Sequence, residues 1–66
     1  MQLVINGEQR TVQHAATVEL LLAELGLDAR AVVVELNRVI IRRHALASTP
    51  LAEGDSVEIV HFVGGG

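Results

Sequence analysis

Apolar residues stand at positions 1, 3 and 5, and the run stops at Asn6-Gly7 before Glu8-Gln-Arg-Thr-Val-Gln-His14. Asn-Gly between two extended runs is a strong hairpin signal, because both central residues of a type I′ turn need positive φ. Two antiparallel strands are therefore expected to open the fold. From Val18 the period changes. Val18, Leu21, Leu22 and Leu25 share one stripe at helical spacing, Glu19, Ala23 and Glu24 fall on the other side, and Leu20 lies off the stripe. Thr17 is placed to cap the first turn and Gly26 to end the last one in the left-handed region. This predicts a helix over Val18–Leu25, about two and a half turns.

Ala31-Val-Val-Val-Glu-Leu-Asn37 is rich in β-branched residues and too short for a helix, so a third strand is expected, followed by a turn at Asn37-Arg38 and a short fourth strand, Val39-Ile-Ile-Arg42. Ala45 to Pro50 reads as irregular, and Leu51-Ala-Glu-Gly-Asp55 as a turn around Gly54. Glu53 and Asp55 are expected as turn residues and not as an acid/base pair. Ser56 to Val63 reads as the last strand, with Gly64-Gly65-Gly66 after it. The predicted order is β-β-α-β-(β)-β. That is α+β, the β-grasp arrangement used by ubiquitin, a mixed sheet of four to five strands crossed by one helix. The expected division is a β-grasp domain over residues 1–63 and a flexible glycine tail over 64–66.

Composition narrows the chemistry. In 66 residues half are apolar, Phe62 is the single aromatic, and Cys is absent. A chain of this size buries only about 60% of the surface it exposes when unfolded, so its aliphatics must build the core and little is left for an enclosed active site. Eight acidic residues face five Arg and no Lys, for a net charge of −3. Without a basic surface or an aromatic platform, nucleic-acid binding is not expected. No basic-then-apolar leader follows Met1, and no apolar run approaches the ~20 residues that span a bilayer. The chain is therefore expected to be cytoplasmic, free of membranes and monomeric when alone. His14, His44 and His61 lack metal-ligand spacing, so no metal site is expected. Arg42-Arg43-His44 is a short basic cluster that reads as a solvated turn or a contact for an acidic surface.

The distinctive feature is the aliphatic strand that runs into three glycines. Extended, they reach roughly 10 Å beyond the last strand and pass where no side chain fits. Gly66, expected as the terminal residue, then presents an ionised α-carboxylate. A glycine run by itself reads more readily as a frayed end or a linker; a β-grasp pattern leading directly into it reverses the preference in favour of the functional reading. On strand alternation, Val57, Ile59 and His61 are expected to face the core and Glu58, Val60 and Phe62 the opposite face beside the tail, as a partner-docking surface. Phe62 has a second possible placement, filling the core as the only aromatic. Leu20 is a lesser docking candidate.

The whole chain resembles the ThiS family of sulfur carrier proteins. The resemblance rests on Val4-Ile5-Asn6-Gly7, Thr17-Val-Glu-Leu-Leu21, Val34-Glu-Leu-Asn37, Ile40-Ile41, Leu51-Ala-Glu-Gly-Asp55 and, most specifically, Val57-Glu-Ile-Val-His-Phe-Val-Gly-Gly-Gly66. It implies that an E1-like, ThiF-like enzyme uses ATP and Mg²⁺ to adenylate Gly66, with Gly64 and Gly65 threading its active site. A persulfide-bearing donor protein then converts the end to a thiocarboxylate, whose sulfur goes to a ThiG-like thiazole synthase in thiamine biosynthesis. The protein would be substrate and carrier, with no catalytic residue and no cofactor of its own. Two alternatives remain at this stage: a carrier for another pathway, of the molybdopterin synthase small-subunit type, and a ubiquitin-like interaction module with an inert tail. The molybdopterin type is usually longer, with early aromatics and a proline near the glycines, and this chain has neither.

Overall fold

In the computed structural model, which describes residues 1–62, the Asn6-Gly7 turn folds β1 (Gln2–Ile5) onto β2 (Glu8–Thr11). Both turn residues have positive φ, 50° and 81°, as a type I′ turn requires. The helix α1 spans Val18–Glu24, and Thr17 Oγ1 caps it by accepting the Leu20 N–H at 3.2 Å. Its far end closes through Gly26, at φ 73°, whose N–H donates to the Ala23 carbonyl while the Leu27 N–H donates to that of Leu22. This double closure needs a left-handed residue, which is why the helix stops at the glycine. Glu24 reaches back from the last turn to accept the N–H groups of Gln13 and His14 at 2.9 and 3.0 Å, tying the loop after β2 to the helix.

β3 (Val32–Leu36) and β4 (Val39–Ile41) form a second hairpin through Asn37 and Arg38, both at positive φ. β5 (Ser56–His61) runs between the two hairpins, so the five-stranded sheet has the order β2-β1-β5-β3-β4, with β5 parallel to β1 and antiparallel to β3. This is the ubiquitin-like β-grasp that the sequence predicts. Val63 of the expected last strand and Gly64 to Gly66 lie outside the described residues.

Two segments differ from expectation. Arg43–Ser48, expected as irregular, is a 3₁₀ helix, and a further 3₁₀ turn at Ala29–Ala31 leads into β3. The first has a packing cause: the turn drives Leu46 into the core between half-buried Ala45 and exposed Ala47, and Thr49 Oγ1 donates to the Ala45 carbonyl to tighten it.

The helix covers one face of the sheet. Leu3 and Ile5 of β1, Val32 and Val34 of β3 and Val57 and Ile59 of β5 meet Val18, Leu21 and Leu22 of α1, with Val12, Ala15, Leu46 and Leu51 closing the sides. Burying one such side chain fully contributes about 1.5–3 kcal/mol. No charged or polar residue is buried among the described residues, so the core is purely aliphatic.

Candidate functional site: the open face of the sheet

Among the described residues no helix lies on the other face of the sheet, along which β5 runs to His61. Because Val57 and Ile59 point into the core, strand parity turns Glu58, Val60 and Phe62 outward together. Val60 and Phe62 are 59% and 60% exposed, which decides between the two placements of Phe62 in favour of the surface. The Phe62 N–H donates to the Ala31 carbonyl at 2.9 Å, holding its backbone against the entry to β3 while the ring projects into solvent.

His61 departs from the expectation that it faces the core: it is exposed. Its parity is inward, but it lies at the rim of a groove lined by Leu25 and Leu27, where α1 has already ended and no longer covers the sheet. Leu20, 46% exposed, is on the helix and thus across the sheet from Val60 and Phe62, so the structure does not bring it to the patch.

Neighbouring strands enlarge the outward patch. Val60 pairs with half-buried Val33, and Glu35 of β3 is opposite both Glu58 of β5 and Ile40 of β4. Ile40 is 62% exposed. It and Val33 escaped the sequence reading as surface residues, although the alternation of β3 and β4, once the pairing is known, assigns them. Ile40, Val33 and Phe62 also reach a groove of about 220 Å³ whose lining includes Arg42 and Arg43 together with the core-facing Val32, Val34 and Leu46. Arg42 and Arg43 of the basic cluster thus share a groove with part of the apolar patch, and Arg43 donates to the Arg30 carbonyl at 3.5 Å.

Charge on this face is uneven. Glu35 and Glu58 are directly opposed like charges, an arrangement that costs stability when nothing neutralises it. Nearer the chain end, Asp28 and Arg30 form an exposed ion pair at 3.1 Å, and the Arg30 guanidinium holds the Asp28 carboxyl below its ordinary range. Glu53 and Asp55 are turn residues: Glu53 accepts the Gln2 N–H, and Asp55 accepts the Ala52 N–H and the Asn37 amide. Among the described residues no three His, Cys, Asp or Glu side chains converge as metal ligands would, and no helix is long and apolar enough to cross a membrane. Gly64, Gly65 and Gly66, the positions assigned the chemistry by resemblance, lie outside the described residues.

The open face of β5 and its neighbours offers exposed apolar side chains that can bind and orient a partner. The chain is similar along its whole length to proteins of known name. It is 50% identical over all 66 residues to a thiazole synthase of Paramagnetospirillum magneticum, of whose length it spans 20%. It is 38% identical over 65 residues to the sulfur carrier protein ThiS of Bacillus subtilis, covering 97% of this chain and 98% of that one. The crystal structure of the thiamine biosynthesis protein ThiS from Geobacter metallireducens is 40% identical and superposes over the full length of both chains with a TM-score of 0.84. The ThiS family model matches residues 3–66, so this chain belongs to the ThiS family.

Proposed function

We propose that this protein is a sulfur carrier in thiamine biosynthesis, working in the cytoplasm, and that its reactive group is the Gly66 carboxylate. The observation that carries the reading is the family match, which runs through residue 66 and so includes all three glycines. A carboxylate is a poor acyl donor until one oxygen becomes part of a good leaving group. In the proposed sequence, a Gly66 carboxylate oxygen attacks the α-phosphate of Mg-ATP on an E1-like, ThiF-like enzyme; the new P–O bond gives the glycyl adenylate, and pyrophosphate leaves. The terminal sulfur of a persulfide on a donor protein attacks the acyl carbon and AMP departs. A thiol then cleaves the S–S bond, leaving the thiocarboxylate on Gly66 and a disulfide elsewhere.

The outward face and the glycines each have a role in this scheme. Val60, Phe62 and Glu58 form the docking surface, extended by Ile40 and Val33, and Gly64 and Gly65 enter the enzyme's channel. Lacking Cys, the protein cannot hold the persulfide itself. A ThiG-like thiazole synthase is proposed as the acceptor of the sulfur, supported by thiazole synthases of two organisms, each of which has a stretch similar to this whole chain within a polypeptide it covers to 20%.

Incubation with a ThiF-type enzyme, Mg-ATP and a sulfide source, followed by intact mass spectrometry, tests the scheme. The expected result is a mass gain equal to replacing one oxygen by sulfur, mapped to Gly66 and absent when Gly66 is deleted. Sulfur mapped anywhere other than the terminal glycine, in the parent or the truncated protein, would show that the chain-end carboxylate is not the reactive group.

A further inference from the structure

β5 is the strand that precedes the glycines in sequence, and its grip on the β1 side is short. β1 pairs with it only at Ser56 and Val57, because β1 then turns away at Asn6. On the β3 side the pairing runs on to His61, opposite Val32. In that ladder Ser56, Glu58 and Val60 direct their backbone groups at β3, so those of Val57, Ile59 and His61 point toward β1. The Val57 carbonyl accepts the Asn6 N–H at 2.9 Å. One step further, no β1 backbone is left for Ile59.

The Asn6 side chain fills that place. Its Oδ1 accepts the Ile59 N–H at 2.7 Å and its Nδ2 donates to the Ile59 carbonyl at 3.2 Å. A carboxamide carries the same donor and acceptor as a peptide group, so the side chain continues the ladder after the main chain has left it. Asparagine also tolerates the left-handed φ of 50° that the turn demands there. One residue therefore makes the turn and the last lateral contact of β5 on this side, three residues before Phe62.

We propose that Asn6 is a positioning residue for the chemistry of the chain end: by clamping Ile59 it fixes the direction in which β5 presents the glycines to the activating enzyme. This rests on the carrier reading above. The docking face is made by the outward residues Val60 and Phe62, whereas Asn6 acts on the backbone between them and the core. Loss of the clamp should therefore lower the rate of adenylation without weakening docking.

Asn6→Gly removes both bonds and keeps the turn, since glycine accepts positive φ without strain. Asn6→Asp keeps the acceptor for the Ile59 N–H and loses the donor. In the protein alone, amide exchange at Ile59 is expected to speed up by about tenfold in Asn6→Gly, the size of effect that losing hydrogen bonds of this kind produces, and by less in Asn6→Asp. Core amides such as that of Val34 should keep their protection. With the activating enzyme and Mg-ATP, kcat for pyrophosphate release should fall in the same order while KM for the carrier stays unchanged. Unchanged exchange at Ile59 overturns the proposal, as does lost protection with a wild-type kcat or a change confined to KM. Failure of the carrier reading looks different: the wild-type protein is then not converted by an enzyme active on another carrier, whatever Asn6 does to Ile59.

Discussion

Val57 and Val60 are the same residue on the same strand, yet Val57 is completely buried and Val60 is 59% exposed. The difference is one of parity alone: odd positions of β5 up to Ile59 meet α1, and even positions meet solvent. A folding requirement explains the first set and leaves the second unexplained. An exposed valine is ordinary, but Val60, Phe62 and Ile40 together, beside half-buried Val33, form a patch that spans β5, β3 and β4. The inward face builds the domain, and the outward face is the one proposed to dock a partner.

The sharpest way to break this contrast is to make the same substitution on both sides. Val57→Ala removes completely buried methyl groups and is expected to cost about 2 kcal/mol of stability in chemical denaturation, from lost transfer energy and the cavity left behind. Val60→Ala should change it by less than about 0.5 kcal/mol. Equal costs at both positions would mean that the open face is part of the fold's energetics and not reserved for binding.

The next effect is on recognition. Phe62→Ala is expected to leave the denaturation midpoint unchanged and to raise KM for the activating enzyme by at least about fivefold, the level at which an interface residue counts as energetically important. A stability loss comparable to that of Val57→Ala would return Phe62 to a structural role. Exposure of the ring makes this outcome unexpected.

How much of this was legible in the sequence follows from how local each determinant is. The Asn6-Gly7 turn, the Thr17 cap and the Gly26 stop are written in a few adjacent residues, and the structure has each where the sequence puts it. The 3₁₀ helix at Arg43–Ser48 was not legible, because Leu46 is its one buried residue and a single anchor sets no period. His61 continues the inward parity of Val57 and Ile59, but whether anything covers that parity depends on where α1 ends in space, which alternation cannot express. For Phe62, parity and hydrophobicity pointed opposite ways, and parity prevailed because Ala31 pins its backbone to the sheet. The second function of Asn6 was hidden by the first: a residue that fully accounts for a turn gives no sign that its side chain also binds a strand 53 positions away.

Glu24 sharpens the contrast from the covered side. Its carboxylate is held below the ordinary range chiefly by the N–H groups of Gln13 and His14, which favour the charged form. A carboxyl with a lowered folded pKa binds fewer protons when folded than when unfolded. Its stabilisation is therefore complete above the unfolded value and is lost as pH falls through the folded one. Glu24→Gln should be less stable than the parent at pH 7, and the gap should close as the pH is lowered below about 4. A gap that persists unchanged in acid would mean that Glu24 acts by packing and not by charge.

The smallest expected effect tests whether the open face is tuned for a partner. Glu35 and Glu58 are opposed across β3 and β5 with no cation bridging them among the described residues. Like charges in that position are worth a few tenths of a kcal/mol against folding, and salt screens them. Glu58→Gln should thus stabilise the isolated protein by about 0.3 kcal/mol, a gain that shrinks at high ionic strength. If Glu58 contributes to docking, the same variant should bind its activating enzyme more weakly, with a KM that rises at low salt and converges with the parent at high salt. Stabilisation and weakened binding in one substitution would show that the face sacrifices folding energy for recognition. Stabilisation with unchanged KM would assign docking to Val60 and Phe62 without the carboxylate.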